Sequence, residues 1–286
     1  MALVSTQFIK RIYTNVLSKS AETSVRTLPI LLGPLRGSRI CVDSSLSFGE
    51  ILGIHEIRTL YFLKNILIEL KKQRPHLCVA DLGANMGLFS LFFSKIAGEN
   101  SSHIDAFEPN PRTFEVLWRN VLLNHRQNIE CHRIAFSDLP GKIDFLMTEN
   151  NHTSHILESG SEDQPGSGQR VSVDATTLDS FYREKGITKA PDFIKVDIEG
   201  AASLALKSCD WCLETKRPWL FIESHTPEED AAIGKLALKH KYVAFDTVQK
   251  RWIKDLSATF PNPDGVSGRP LLIPEEVQSS LQAILK

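Results

Sequence analysis

The sequence predicts an α/β protein: a parallel sheet with helices on both faces, preceded by an appended N-terminal segment. Three observations predict it. From Leu77 onward, short apolar runs alternate with amphipathic stretches of helical length, the pattern of strand–helix–strand crossovers. The first apolar run, "LCVADLG", ends in an aspartate and is followed by two glycines four residues apart, Gly83 and Gly87. The 286-residue chain is 42% hydrophobic, enough for one large core.

Taken in order, the first twenty residues carry basic and hydroxyl side chains and no acid, and read as an amphipathic lead-in helix rather than a targeting peptide. "LPILLGPLRGSR" has the Pro and Gly punctuation of a loop, and "ICV" after it is strand-like. Ile57, Leu60, Leu63, Ile66, Leu67 and Leu70 recur at helical spacing and end in two lysines, which suit a helix C-terminus. Strand and helix then take turns: "LCVADLG", "MGLFSLFFSKIAG", "HIDAFEPN", and "PRTFEVLWRNVLLNH" with Pro111 in its first turn. "IECHRIAFSD" and "KIDFLM" read as strands, and residues 149–170 as a long loop, a candidate substrate lid carrying His152 and His155. "TTLDSFYREKG", "DFIKVDIEG", "AASLALKSC" and "PWLFIESH" continue the alternation. "PEEDAAIGKLALKHKYVAFDTV" gives a helix and a strand, and "RPLLIPEEV" a closing edge strand. Residues 1–70 are expected to be the appended segment and substrate-side cap, and residues 71–286 the main domain.

Composition narrows the function. A formal net charge of −1 without a run of one sign lacks the basic footprint of a general nucleic-acid binder, so a small-molecule substrate is expected. Five cysteines, an odd number in a long chain, indicate reduced thiols and a cytoplasmic setting. Cys209 and Cys212 form a C-x-x-C without a second pair at zinc spacing. No apolar run is long enough to span a bilayer.

Glycines in the turn after the first strand permit positive backbone torsions and a close approach to the main chain, while the helix start that follows offers amides to an anionic group. A dinucleotide fingerprint would need glycine at 85 and 88, where Asn85 and Leu88 stand. A ligand with an amine, a carboxylate and an adenosine suits "DLGANMG" better, with Asp81 attracting the amine and Glu108, in "AFEPNP", accepting the ribose hydroxyls. S-adenosylmethionine meets these requirements.

Six stretches, "VADLGANMGLFS", "DAFEPNP", "RIAFSDLPGKIDF", "VDATTLDSF", "DFIKVDIEGAA" and "LFIESH", resemble in order those of the FkbM-type S-adenosylmethionine-dependent methyltransferases, over roughly residues 76–225. The resemblance implies a class I methyltransferase (Rossmann-like) fold of seven mostly parallel strands, the last antiparallel. It implies that Gly83, Ala84, Asn85 and Gly87 line the methionine half of the cofactor, that Asp81 meets its amino group and Glu108 its ribose, and that Ala135 and Asp138 border the adenine. The family usually has an acid after "EGA"; here Ala202 stands there.

Methyl transfer requires an acceptor held in line and relieved of its proton. "KVDIEG" and "IESH" place Lys195, Asp197, Glu199, Glu223 and His225 near the fourth and fifth strand ends. Asp197 is expected to orient the acceptor hydroxyl, His225 to act as base because its ordinary pKa lies near neutrality, and Glu199 to complete the catalytic group. Asp197, Glu199 and Glu223 have the hard oxygens magnesium prefers, but without a spacing constraint no metal is assigned. The leading reading is O-methylation of a sugar, polyketide or related metabolite, an acceptor that only the family resemblance implies. N-methylation, a NAD-dependent oxidoreductase and a non-catalytic cofactor-binding scaffold are the alternatives.

Overall fold

A computed structural model describes residues 26–42, 56–148, 155–156, 168–198, 201–282 and 284–285. The expected lead-in helix, His152, Glu199 and most of the 149–170 loop lie outside the described residues, as does the side chain of His155.

The strands, in chain order, are β1 (Arg26–Pro29), β2 (Arg39–Val42), β3 (Leu77–Leu82), β4 (Ser102–Phe107), β5 (Ile129–His132), β6 (Ala135–Phe136), β7 (Gly141–Met147), β8 (His155–Ile156), β9 (Gln169–Thr176), β10 (Phe193–Val196), β11 (Trp219–Ile222), β12 (Tyr242–Asp246), β13 (Arg251–Trp252) and β14 (Pro270–Pro274). The helices are α1 (Ile57–Gln73), α2 (Leu88–Ala97), α3 (Pro111–Leu123), α4 (Leu178–Lys185), α5 (Ala202–Leu206), α6 (Asp210–Lys216), α7 (Pro227–His240) and α8 (Gln278–Leu281). The main sheet runs β13-β12-β14-β11-β10-β3-β4-β5. β11, β10, β3, β4 and β5 are parallel, and β14 is antiparallel to both β11 and β12. Apart from the two-residue edge strand β13, these are the seven strands the sequence implies, one of them reversed.

Alternation within each strand buries both faces of the sheet. Leu77, Val79, Phe193, Trp219 and Phe221 face α1 and α2, packing with Leu63, Leu67, Phe92 and Phe93. Ala80, Leu82, Ile194, Val196, Leu220 and Ile222 face α4 to α7. Cys209 and Cys212 are buried in this second layer, and burial pushes both thiols well above their usual range, which suits packing rather than redox chemistry. Among the described residues no helix is long and apolar enough to cross a membrane.

Four features differ from the sequence reading. The "IECHRIAFSD" run breaks after His132, and β6 and β7 belong to a separate four-stranded sheet ordered β6-β9-β7-β8. β9, which the reading assigned no strand, pairs with β7 from Gln169 to Ala175 and buries Val173 and Ala175 against Phe145 and Met147. β14 is not an edge strand but sits between β11 and β12. Residue 70 falls inside α1, whose buried Leu60, Leu63, Ile66, Leu67 and Leu70 join the main core. The β1–β2 hairpin before it docks on α3, where Asn120 Oδ1 accepts the Cys41 amide at 2.7 Å and Asn124 Oδ1 accepts the Arg39 amide at 2.8 Å.

A charged latch joins α4 to the sheet. Asp105 of β4 is 1% exposed; it accepts from the Tyr182 hydroxyl at 3.1 Å and the Lys185 ammonium at 3.0 Å, and meets Nε2 of His132 at 2.8 Å and of His103 at 3.2 Å. Burial alone would raise its pKa, but these partners outweigh burial and hold it well below the usual carboxylate range. Removing one member of such a group leaves unpaired charge behind. Asp105→Ala is expected to cost about 3–5 kcal/mol in urea denaturation at neutral pH. Because the folded-state pKa is depressed, the stabilisation holds above the unfolded carboxylate value and fades below about pH 4, so the gap between variant and wild type should narrow there.

Candidate active site

The register aligns the carboxyl ends of the central strands: Leu82 with Phe107, Leu82 with Val196, and Val196 with Ile222. The segments just beyond them, residues 83–87, 108–110, 197–198 and 223–225, therefore share one edge, where ligands of parallel α/β sheets bind.

Gly83 and Gly87 have φ of +77° and +88°, the left-handed conformation their spacing predicts. Their close neighbours are the protein itself. A Cβ on Gly83 would lie 1.8 Å from the Asp197 carbonyl oxygen, and one on Gly87 would lie 2.6 Å from Leu117 Cδ1 of α3. The first glycine thus admits the backbone that carries Asp197, and the second lets α3 close on the turn. Asn85 also takes a left-handed φ, of 49°, and Ala84 is buried with its amide on Phe107 O at 2.8 Å. The amides of Leu88, Phe89 and Ser90 precede the first helical hydrogen bond, Leu91 N to Gly87 O, so they face outward from the α2 N-terminus.

Glu108, 7% exposed, accepts the Asn85 amide at 3.0 Å and the Asn110 amide at 2.9 Å, one on each carboxylate oxygen. It ties the glycine turn to the next loop and retains acceptor capacity on both oxygens. Burial raises its pKa to about 7, against the lowering pull of the two amides.

Asp81 is wholly buried. It accepts from Ser90 Oγ at 2.5 Å, its other oxygen has no hydrogen bond, and Lys195 Nζ lies 3.5 Å from that oxygen. Lys195, 1% exposed, also reaches Asp197 Oδ2 at 3.2 Å and the Gly83 carbonyl at 3.4 Å, and sits 4.7 Å from the centre of the Phe89 ring. Burial favours the neutral amine, but Asp197 and Asp81 outweigh it and hold the ammonium charged. Burial likewise raises Asp197, and Lys195 and His225 outweigh it, keeping the carboxylate ionised. Asp197 retains 29% side-chain exposure, so a ligand in the cleft can touch it.

His225 Nε2 stands 3.4 Å from Asp197 Oδ1, and ligating atoms of Asp197, Glu223 and His225 all lie within 4.8 Å of one another. Two protein cations already rest on this group, Lys195 on Asp197 and Arg269 on Glu223 at 2.7 Å. A buried carboxylate fixes its frame: Glu229 of α7 accepts the His225 amide at 2.7 Å and the Ala202 amide at 2.8 Å, joining the loop after β11 to the start of α5.

The structure brings Asp81, Gly83, Asn85, Gly87, Glu108, Asp197 and His225 to one edge. Ala135 and Asp138 follow β5, in β6 and just after it. The Ala135 methyl packs in the core of the second sheet with Phe145 and Val173, because β6 leaves the main sheet. Asp138 is solvent-exposed and within 3.2 Å of the Ser137 hydroxyl. Lys195 carried a signal in the sequence, a lysine inside the apolar run "FIKV". Arg269 and Glu229 carried none, since only folding brings them to the strand ends.

The family model of the methyltransferase FkbM domain matches residues 81–248. The chain belongs to the FkbM methyltransferase family. It is 30% identical over 158 residues to methyltransferase sdnD of Sordaria araneosa, covering 46% of this chain and 60% of that protein. It is 24% identical over 194 residues to methyltransferase 1 of Beauveria bassiana, covering 61% and 75%. Among solved structures, methyltransferase FkbM of Methylobacillus flagellatus aligns with a TM-score of 0.40 at 16% identity, over 69% of this chain and 43% of that one. The reversed strand β14, between β11 and β12, also sets the sheet apart from the dinucleotide-binding strand order, and with Asn85 in place of a middle glycine the oxidoreductase reading loses its ground.

Gly83 supplies the test of this edge's packing. Gly83→Ala adds a clash with the Asp197 carbonyl to the cost of a positive φ, whereas Gly186, at φ +87°, has nothing within 4 Å of its built Cβ. In urea denaturation Gly186→Ala should show only conformational strain, about 1–3 kcal/mol, and Gly83→Ala clearly more. Equal losses would contradict the contact.

Proposed function

We propose that this chain is an S-adenosylmethionine-dependent methyltransferase that methylates a hydroxyl of a small-molecule acceptor. The observation that carries the reading is the meeting of Asp197 and His225, 3.4 Å apart, with Glu223 beside the Gly83–Gly87 turn. Membership in the FkbM family supports the reaction class; the hydroxyl acceptor rests on the aspartate–histidine pair.

The cofactor's parts fit the residues present. Glu108 has acceptor capacity on both oxygens for a vicinal diol, as a ribose offers. The α2 amides at Leu88 to Ser90 suit the carboxylate. Asp81, closed off beneath the turn with one oxygen lacking a hydrogen bond, acts on the amine through its field. When bound, S-adenosylmethionine supplies an electrophilic methyl group. The chain's own part is to orient the acceptor and receive its proton. Asp197, held ionised by Lys195, orients the His225 imidazole and stabilises the imidazolium formed as the hydroxyl proton transfers to it. Glu229 fixes the His225 backbone, so the ring starts from one position. None of the five cysteines is in a disulfide, and we take a reducing, cytoplasmic setting.

Calorimetric titration with S-adenosylhomocysteine, beside NAD, tests the reading. Saturable binding of the former, weakened in Glu108→Ala, is expected; binding of NAD instead would overturn it. Hydroxyl donors favour the ionised carboxylate, whose fraction rises about tenfold from about pH 6 to about pH 8 for a group at about 7. S-adenosylhomocysteine affinity should therefore increase across that range, and Glu108→Gln should flatten it. In the ligand-free protein the sign is opposite: a raised carboxylate pKa favours the fold at low pH, and that contribution is lost as pH rises through about 7.

A further inference from the structure

Beyond Glu223 the edge opens into a cavity of about 700 Å³ between α1 and the carboxyl end of β12. The cavity joins the catalytic group through one side chain. Arg269 lines it and places Nη2 2.7 Å from Glu223 Oε1, and Glu223 lies within 4.8 Å of Asp197 and His225. Phe62 and Phe245 give it an aromatic wall, their rings stacked at 6.2 Å and 6°, and Tyr61, 50% exposed, stands at its rim. Its described lining includes three cations, Arg58, Lys250 and Arg269, and no acid, in a chain whose net charge is −1.

The three cations are not equivalent. Arg269 is neutralised between Glu56, at 2.5 Å, and Glu223. Arg58 and Lys250 form no ion pair among the described residues, and both side chains are exposed. An apolar wall with two cations that have no acidic partner among the described residues complements a ligand of matching anatomy. We infer that this cavity is the acceptor site and that it selects an amphiphilic anion: a small apolar, ring-bearing molecule with a carboxylate or phosphate that meets Arg58 and Lys250, its hydroxyl directed past Arg269 toward Asp197 and His225. The inference rests on the methyltransferase reading for the word acceptor; the binding selectivity stands on the cavity alone.

The probes are 2-naphthoate, 2-naphthyl phosphate and the uncharged 2-naphthamide, titrated calorimetrically into the full chain, with S-adenosylhomocysteine titrated separately into the same preparations. The two anions should bind saturably and about tenfold tighter than the amide, the scale of a charge-assisted contact. The double variant Arg58→Gln/Lys250→Gln should lose that preference while binding S-adenosylhomocysteine as the wild type does. Tighter carboxylate than phosphate binding, or the reverse, identifies the anion and in either case supports the site. Equal affinity for anion and amide, a preference that survives the double variant, or no naphthoate binding by a chain that binds S-adenosylhomocysteine would overturn it. Loss of S-adenosylhomocysteine binding by the wild type refutes the methyltransferase reading separately, because the naphthoate titration does not depend on it.

Discussion

A buried ammonium holds the edge of the sheet together. Lys195, at 1% exposure, would cost several kcal/mol to desolvate alone, and it is kept charged by two carboxylates from different elements, Asp81 at the end of β3 and Asp197 just past β10. Its third contact, the Gly83 carbonyl at 3.4 Å, ties it to the turn that carries the proposed cofactor contacts. Remove the cation and two acids, one of them wholly buried, are left without it, next to the backbone approach that only a glycine at 83 permits. The geometry of Asp197, and with it that of His225, depends on this pair of constraints.

Around that centre, neighbouring charges are fixed by fold elements rather than by solvent. Glu229 reaches from α7 to the His225 and Ala202 amides, Glu108 from β4 to the glycine turn, and Arg269 from the loop before β14 to Glu223 and Glu56. Each anchors one loop to another, so the edge is organised before any ligand arrives, which is what proton transfer between fixed partners requires. The same Arg269 stands between the Asp197, Glu223 and His225 group and the cavity lined by Arg58 and Lys250.

Much of this was legible in the chain. Near-continuous apolar runs in "LCVADL" and "FIKV" and helical spacing in "IRTLYFLKNILIEL" report burial directly, so the succession of strands and helices along the chain follows from the residues, though the place of β14 between β11 and β12 does not. The Gly83–Gly87 spacing announced positive torsions, and the positions of Asp197, Glu223 and His225 at strand ends announced their meeting. Contacts across sequence were illegible. Nothing local to Arg269 or Glu229 marks them, and the purpose of Gly83, making room for the Asp197 carbonyl, depends on a strand more than a hundred residues later. The second sheet was partly legible: "QRVSVDAT" alternates Val171, Val173 and Ala175 with Ser172 and Asp174, a strand signal the reading passed over between the long loop and the next helix, while its pairing with β7 is a contact across sequence.

The most direct test of the central claim is the S-adenosylhomocysteine affinity of Lys195→Met beside Lys195→Arg and wild type, by calorimetry, with urea midpoints recorded on the same samples. If the buried cation organises the edge, Lys195→Met is destabilised by about 3–5 kcal/mol and its folded fraction binds at least about tenfold more weakly, while Lys195→Arg, which keeps the charge, recovers much of both. A Lys195→Met protein that folds with wild-type stability and binds S-adenosylhomocysteine with wild-type affinity would contradict it.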